Sequence, residues 1–193
     1  MPYQCLLQHA AFAPTQVIPW WRRRRRRFPL TPNEHRLLCQ SLYFAHYQGW
    51  HLRRQGRPLS PQQRQLARRM GVHSPQRVRL LWRRHLPRAY PLPLRATLVR
   101  HGLAAERLWG FTLGYAMVLH PDAWGDPGIL AHELVHVAQY ERLGQEGFTH
   151  LYLQALLRHG YEQHPLEHEA EALARRLCHR LDPAPSSSRN KIT

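Results

Sequence analysis

The chain has 193 residues, of which 43% are hydrophobic and 10% aromatic, with a formal net charge of +16, and this composition suffices for one sizeable domain with a hydrophobic core. It contains no apolar run of about eighteen residues, no apolar region with a small-residue cleavage site at its N-terminus, and three widely spaced cysteines outside any C-x-x-C pair. These features exclude a membrane-spanning helix, a disulfide framework and a cysteine zinc knuckle, and we expect a soluble, cytoplasmic protein.

The positive charge is concentrated in the first 110 residues, which hold 21 arginines and two acidic residues, whereas residues 111–193 hold 7 basic and 10 acidic residues. Residues 1–30 end in IPWWRRRRRRFPL, where six arginines from Arg22 to Arg27 repel one another and cannot enter a core. We therefore predict a flexible basic arm over residues 1–30 that contacts nucleic acid or an anionic membrane surface. A solvated tail without a partner is the alternative.

Two similar segments, PLTPNEHRLL and PLSPQQRQLA, each predict the start of a helix. In each, a hydroxyl residue (Thr31 or Ser60) stands at the N-cap, a proline follows at the first helical position, and Glu34 or Gln63 stands at the third. Gly71 suits the end of the second helix. We predict a helical extension over residues 31–57 and a separate domain over residues 58–181.

Two segments in the middle of the chain predict strands. Residues 78–82, VRLLW, form a short strand that is followed by the proline-punctuated connection HLPRAYPLPL. Residues 110–120, GFTLGYAMVLH, are rich in β-branched, aromatic and aliphatic residues and lead into the turn HPDAWGDPG. We predict that they form a single strand.

This turn leads into a helix that carries the sequence HELVH. Asp126 stands at its N-cap, Pro127 at its first position, and Gly144 just beyond its last periodic residue. Further helices are predicted over residues 148–159 and 165–181. Residues 182–193, which end in PAPSSSRNKIT, predict a disordered tail.

His132, Glu133 and His136 form an H-E-x-x-H motif, a pattern with a chance rate of roughly one in twenty in a chain of this composition. Residues four apart on a helix share a face, so both imidazoles can bind one Zn²⁺, and Glu133 can accept a proton from a metal-bound water. A catalytic zinc usually has a third protein ligand. Gln139 and Arg142 stand where metzincins carry glycine and histidine, which excludes that class.

The final helix supplies the candidates for this third ligand. Glu167, Glu169 and Glu171 lie within five residues, and Glu167 shares a helix face with Glu171, whereas Glu169 lies about 200° around the helix from Glu167. We predict Glu167 as the metal ligand and Glu171 as the acceptor of a hydrogen bond from a ligand histidine. Glu169 is the main alternative, and His164 or His168 replaces Glu167 if the register of the helical hairpin differs.

The segment GFTLGYAMVLHPDAWGDPGILAHELVHVAQYERLG, together with PLEHEAEALA, resembles bacterial zinc metallopeptidases of the gluzincin type. It is also similar to the core domain found near contractile injection systems. EHEAE resembles the E-x-x-A-D ligand segment of HtpX-like and prenyl-protein peptidases, with Glu167 at the ligand position and Glu171 in place of the aspartate. The resemblance covers about residues 58–181.

This resemblance implies an α+β, zincin-like domain with a small antiparallel or mixed sheet, an active-site helix and a C-terminal helical hairpin. Residues 110–120 would be the edge strand along which a peptide lies. Glu133 would act as general base in a zinc-dependent peptidase, and Tyr115, Tyr140, Tyr152 or a further histidine would stabilise the oxyanion. The alternative is a catalytically silent zincin-like module that docks on nucleic acid, an anionic membrane or a partner protein through its basic half.

Overall fold

The structure, a computed structural model, describes residues 30–84, 91–103 and 108–181, the last four of them by their backbone alone. The tail predicted for residues 182–193 and all but the last residue of the arm predicted for residues 1–30 lie outside this part of the chain. The described residues form a small mixed sheet packed with helices, which confirms the α+β class. Within these ranges no helix combines the length and the apolarity needed to cross a membrane.

The sheet has the strand order β1-β2-β4-β3, in which β2 runs parallel to β4 while β1 and β3 are antiparallel to their neighbours. Strand β3 therefore lies at one edge. In chain order the elements are α1 (Pro32–Gln55), β1 (Arg57–Pro58), α2 (Pro61–Arg69), β2 (Arg79–Trp82), α3 (Leu92–Arg100), β3 (Gly110–Leu113), β4 (Ala116–Leu119), α4 (Pro127–His159) and α5 (Pro165–Leu181).

Strand β4 is the centre of the core, since all four of its side chains are fully buried. Because side chains alternate along a strand, Met117 and Leu119 pack into a cluster formed with α2, α4 and α5. Ala116 and Val118 point the other way and pack against Leu52 of α1. Helices thus cover both faces of β4. This is why its sequence, AMVL, is apolar throughout and does not alternate between polar and apolar residues.

The predicted helix starts are confirmed at both sites. The Thr31 N–H donates to Glu34 Oε2 at 2.8 Å, and the Ser60 N–H donates to Gln63 Oε1 at 2.9 Å, which completes a capping box at the start of α1 and of α2. Gly71, at φ 90°, follows the end of α2 in the left-handed conformation.

Helix α1, which falls in the predicted extension of residues 31–57, packs on the sheet. A Cβ atom on Gly56, just after the helix, would lie 2.7 Å from Cβ of Arg79 and 2.9 Å from Cδ1 of Leu81. Strand β1 pairs with β2 and spans the predicted boundary at residue 58. The extension and the predicted domain therefore share one core.

The prediction of a single strand over residues 110–120 is wrong, because this segment is a hairpin of β3 and β4. Gly114, at φ 61°, adopts the left-handed conformation in the turn that reverses the chain. A Cβ atom here would also lie 2.9 Å from Cζ of Tyr140, so the turn packs tightly against α4.

The proline-punctuated connection after β2 is also corrected. Its last residues begin α3 (Leu92–Arg100) rather than a loop. Pro91 precedes this helix and Pro93 lies in its first turn, where a missing N–H breaks no helical hydrogen bond. The prolines therefore mark a helix start, which the sequence pattern did not distinguish from a turn.

Helix α4 contains both helices that the sequence predicts between residues 127 and 159. It is interrupted at Gly144, where φ is 72° and ψ is 168°, so the break falls at the predicted residue. The second half starts directly after this glycine rather than at residue 148.

We predict that Gly114→Ala lowers the free energy of unfolding by about 2 kcal/mol, because alanine disfavours the left-handed conformation and its methyl group would meet the Tyr140 ring. Gly147→Ala is the matched control, since its Cβ would make an ordinary 3.6 Å contact within α4. We expect this control to raise stability by up to about 1 kcal/mol. Urea denaturation of both variants measures the difference, and equal effects would contradict the assignment of the turn.

Candidate metal centre

The start of α4 sets the position of the H-E-x-x-H motif. The Asp126 carboxylate accepts hydrogen bonds from the N–H groups of Gly128 at 2.8 Å and Ile129 at 3.2 Å, and Pro127 stands at the first helical position, as predicted. His132, Glu133 and His136 then lie in the second and third turns of α4. Their side chains face β3 and α5.

His132, His136 and Glu167 form a cluster, called the metal cluster below. One nitrogen or oxygen atom from each of the three lies within 4.8 Å of the others. The Nε2 atoms of the two histidines are 3.1 Å apart. The Glu167 carboxylate approaches His132 Nε2 at 3.2 Å and His136 Nε2 at 3.4 Å. Tetrahedral ligands at about 2.0–2.1 Å from a metal are separated by about 3.3 Å, so these residues have the spacing to hold a metal ion.

Two tyrosines hold the Glu167 carboxylate in place. The hydroxyl of Tyr152 donates to Oε1 at 2.7 Å, and that of Tyr161 donates to Oε2 at 3.3 Å. Burial on its own raises the pKa of Glu167, but His136, His132 and Tyr152 outweigh this effect and hold the pKa well below its usual range. The carboxylate is therefore ionised at neutral pH.

The same carboxylate determines the protonation of His136. Burial by itself lowers the pKa of this imidazole, but the negative charges of Glu167 and Glu133 more than compensate and raise the pKa to about 9. Without a metal, a proton on His136 offsets the buried negative charge.

Gln139 connects the motif to α5. Its side chain is fully buried, and its amide nitrogen donates to the carbonyl oxygen of Leu166 at 2.9 Å and to Glu169 at 3.1 Å. The amide oxygen therefore faces His136 and accepts from Nδ1–H at 2.8 Å, which leaves Nε2 directed at the cluster. The contacts of Gln139 with His136 and α5 were not predicted from the sequence. The third position after an H-E-x-x-H motif was the available signal for this role.

Glu133 lies beside the cluster in a tight space. Its Oε2 atom accepts from the Thr112 hydroxyl at 2.6 Å, and a Cβ atom on Gly110 would collide with its Oε1 atom. Burial raises the pKa of Glu133 and exceeds the opposing effect of His136 and His132. A carboxylate with a raised pKa beside a metal site is suited to accept and return a proton near neutral pH.

The remaining glutamates of α5 occupy different environments. Glu171 Oε2 lies 3.7 Å from Nδ1 of His132, which is an ion-pair distance rather than a hydrogen bond, and its Oε1 accepts from Arg175 at 2.6 Å. Among the described residues, Glu171 thus approaches the ligand His132 but does not make the hydrogen bond predicted from a ligand histidine. Glu169 forms a bidentate pair with Arg142 at 2.9 and 3.0 Å and takes no part in the cluster.

The two alternative histidines also have other partners. The Leu166 N–H donates to Nδ1 of His164 at 3.2 Å, so Nε2 of His164 carries the proton and donates to the carbonyl of Tyr152 at 3.0 Å. Nε2 of His168 donates to the carbonyl of Glu162 at 2.7 Å. Of the described residues named as third-ligand candidates, Glu167 is the one that the fold brings to both motif histidines.

Of the tyrosines named from the sequence, Tyr152 reaches the cluster. The hydroxyl of Tyr115 donates to Glu141 at 3.0 Å, and Tyr140 packs edge-on against the Tyr115 ring. Tyr161 was not predicted. It lies in the turn between α4 and α5, where no periodicity indicates which way a side chain points.

Two cavities meet at this cluster. An open cleft of about 930 Å³ is bordered by the first turns of α4, the turn between α4 and α5, the middle of α5 and Trp109, and its wall includes His132, Glu133 and Glu171. A smaller apolar pocket lies on the other side of Gly110. The volume of the cleft is in the range of small-molecule and peptide sites.

Comparison of the chain with protein-family models, with curated proteins and with solved structures found no match. The geometry of the cluster and of its cavities is therefore the basis for a functional assignment.

We expect Glu167→Ala to abolish the binding of Zn²⁺, because it removes one of three ligands and leaves two imidazoles. Glu169→Gln is the matched control two residues away, because its amide oxygen can still accept from Gln139 and Arg142, and it should keep about one zinc per chain. Elemental analysis after equilibration with zinc and gel filtration measures both variants. Retention of zinc by Glu167→Ala, or its loss from Glu169→Gln, would contradict the proposed ligand set.

Proposed function

We propose that this protein is a zinc-dependent peptidase with a zincin-like fold. His132, His136 and Glu167 are the zinc ligands, and Glu133 is the general base. The observation that carries the proposal is the buried Glu133 carboxylate, oriented by Thr112 beside a three-ligand cluster at the wall of an open cleft. Two imidazoles and one carboxylate form a ligand set of catalytic zinc sites, in which the fourth position takes water or substrate.

In the proposed reaction, the bound zinc would lower the pKa of a water molecule and polarise the scissile carbonyl. Glu133 accepts the proton of the attacking water and returns it to the amine nitrogen that leaves. Thr112 keeps the carboxylate aimed by donating to Oε2. Tyr161 lines both cavities and makes the longer of the two tyrosine contacts to Glu167, so its hydroxyl is the better placed to donate to the substrate oxygen.

Strand β3 gives the substrate a binding edge in this proposal. It is one of the two edge strands of the described sheet, and its first residue, Gly110, lines the cleft beside Glu133. An extended peptide that pairs with such an edge gains main-chain hydrogen bonds whatever its sequence. The bond to be cleaved would then lie next to the metal cluster.

A second candidate function is docking on nucleic acid or an anionic membrane. The arginines from Arg22 to Arg27 lie outside the described residues, but α1 adds an observation of its own. Tyr43, Tyr47 and Trp50 are about half exposed or more along one side of α1, and the Arg54 guanidinium lies 4.7 Å from the centre of a Trp50 ring. An affinity that falls steeply with salt and with deletion of the six arginines would support this function.

We predict that Glu133→Gln lowers kcat/KM for peptide cleavage at least about 100-fold while the zinc content stays at that of the wild type, because an amide cannot accept the proton. Glu146→Gln makes the same change at an exposed position of α4 and should leave cleavage unchanged. Cleavage of a quenched fluorescent peptide library, with zinc measured in parallel, gives both quantities. Undiminished cleavage by Glu133→Gln would eliminate Glu133 as the general base.

The affinity for zinc should rise with pH. A metal binds the neutral imidazole, and the pKa of His136 in the metal-free chain is about 9, so below this value zinc must displace a proton. We expect the apparent association constant to increase about tenfold per pH unit between pH 7 and 8.5. Competition with a chelator of known affinity measures the dependence, and a constant affinity over this range would contradict the proton displacement.

A further inference from the structure

The smaller of the two cavities has a mainly apolar wall, with polar side chains of the proposed metal site and three hydroxyl residues, Ser41, Thr112 and Thr149, in its lining. It has a volume of about 120 Å³ and lies between α1, α3, β3 and α4. Its apolar wall includes Phe44, Leu94, Leu98, Phe111, Leu153 and Leu156.

The titratable groups of this pocket are grouped around the proposed metal site. Among its described lining residues they are the three proposed ligands, Glu133, Tyr152 and Tyr161. Tyr152 and Tyr161 donate hydrogen bonds to the ligand Glu167. The Thr112 hydroxyl is already committed to Glu133, and the Ser41 hydroxyl donates to the carbonyl of Leu37. The Thr149 hydroxyl also lines the pocket but carries no charge, so a charged side chain placed away from the metal site would lose its hydration without gaining an oppositely charged partner.

The pocket and the open cleft share a boundary at the metal cluster. Gly110, His132, Glu133 and Tyr161 line both cavities. A peptide that lies in the cleft with its carbonyl at the cluster therefore passes the mouth of the pocket. The side chain next to the reacting bond is the group that would enter it.

We infer that this pocket binds a large apolar side chain, of the size of leucine or phenylalanine, next to the bond that is cleaved. This inference rests on the proposed peptidase function. A cavity of about 150 Å³ lined by apolar residues accepts a benzene molecule, so 120 Å³ suits an isobutyl or phenyl group. An apolar void of this size lowers stability when nothing fills it, and protein interiors hold few of them, which favours a cavity with an occupant.

The test uses two hydroxamates that bind zinc and differ in one group, a benzyl or a methyl group beside the hydroxamate. Isothermal titration of the zinc-loaded, full-length protein measures both dissociation constants. We expect the benzyl compound to bind about 10- to 100-fold more tightly, since the burial of a large apolar group in a matching pocket gives discrimination of this size. Equal binding, or no binding of either compound, would overturn the inference.

Two variants change the pocket without touching the cluster. Ala45→Phe fills it from α1 and should reduce the benzyl-to-methyl preference to about threefold or less. Leu98→Ala enlarges it from α3 and should shift the preference toward a naphthylmethyl group. His46→Phe adds the same ring as Ala45→Phe at the next, exposed position of α1 and should keep the wild-type preference. A preference that persists unchanged in Ala45→Phe and Leu98→Ala would also overturn the inference.

Binding and cleavage separate the failure of this inference from that of the proposed function. A benzyl preference that Ala45→Phe removes, in a protein that cleaves no peptide, would support the pocket and contradict the peptidase. Zinc-dependent cleavage that is lost in Glu133→Gln, together with equal binding of the two hydroxamates, would support the peptidase and contradict the pocket.

Discussion

The contact between α4 and α5 is the interaction on which the candidate site depends. It places the ionised carboxylate of Glu167 against the imidazoles of His132 and His136, in a largely buried region at the wall of the open cleft. Charges in such a region are stable only when they are paired and hydrogen-bonded. Gln139 provides one of these hydrogen bonds, because its amide oxygen accepts from His136. Its amide nitrogen donates to the backbone of α5 and so links the two helices. The helix packing and the cluster therefore stabilise each other.

The sheet contributes the second half of the site through the β3–β4 hairpin. Strand β4 is buried on both faces and pairs with β2, so the hairpin is anchored in the core beside α4. Two residues of β3 contact Glu133. Gly110 leaves room for the carboxylate because it has no side chain, and the Thr112 hydroxyl donates a hydrogen bond to it. The two buried carboxylates consequently differ. Burial raises the pKa of Glu133, whereas the imidazoles hold that of Glu167 low, and such a division suits one group to proton transfer and the other to metal binding.

Much of the site could be predicted from the chain because its signals are local. The capping boxes at Thr31 and Ser60 depend on residues three apart, and the pairing of His132 with His136 follows from the helical repeat. The same repeat separates Glu167 from Glu169. Each of these patterns is completed by neighbours within one or two helical turns.

The sequence by itself determined where α1, α2, α4 and α5 start, which residues share a helix face, and that a metal site was a candidate. The tertiary structure decided which glutamate meets the histidines, that Gly114 reverses the chain, and that Tyr161 and Gln139 join the cluster. These features depend on contacts between residues distant in the chain, and the register of such contacts is set by packing of the whole core, which no local pattern records.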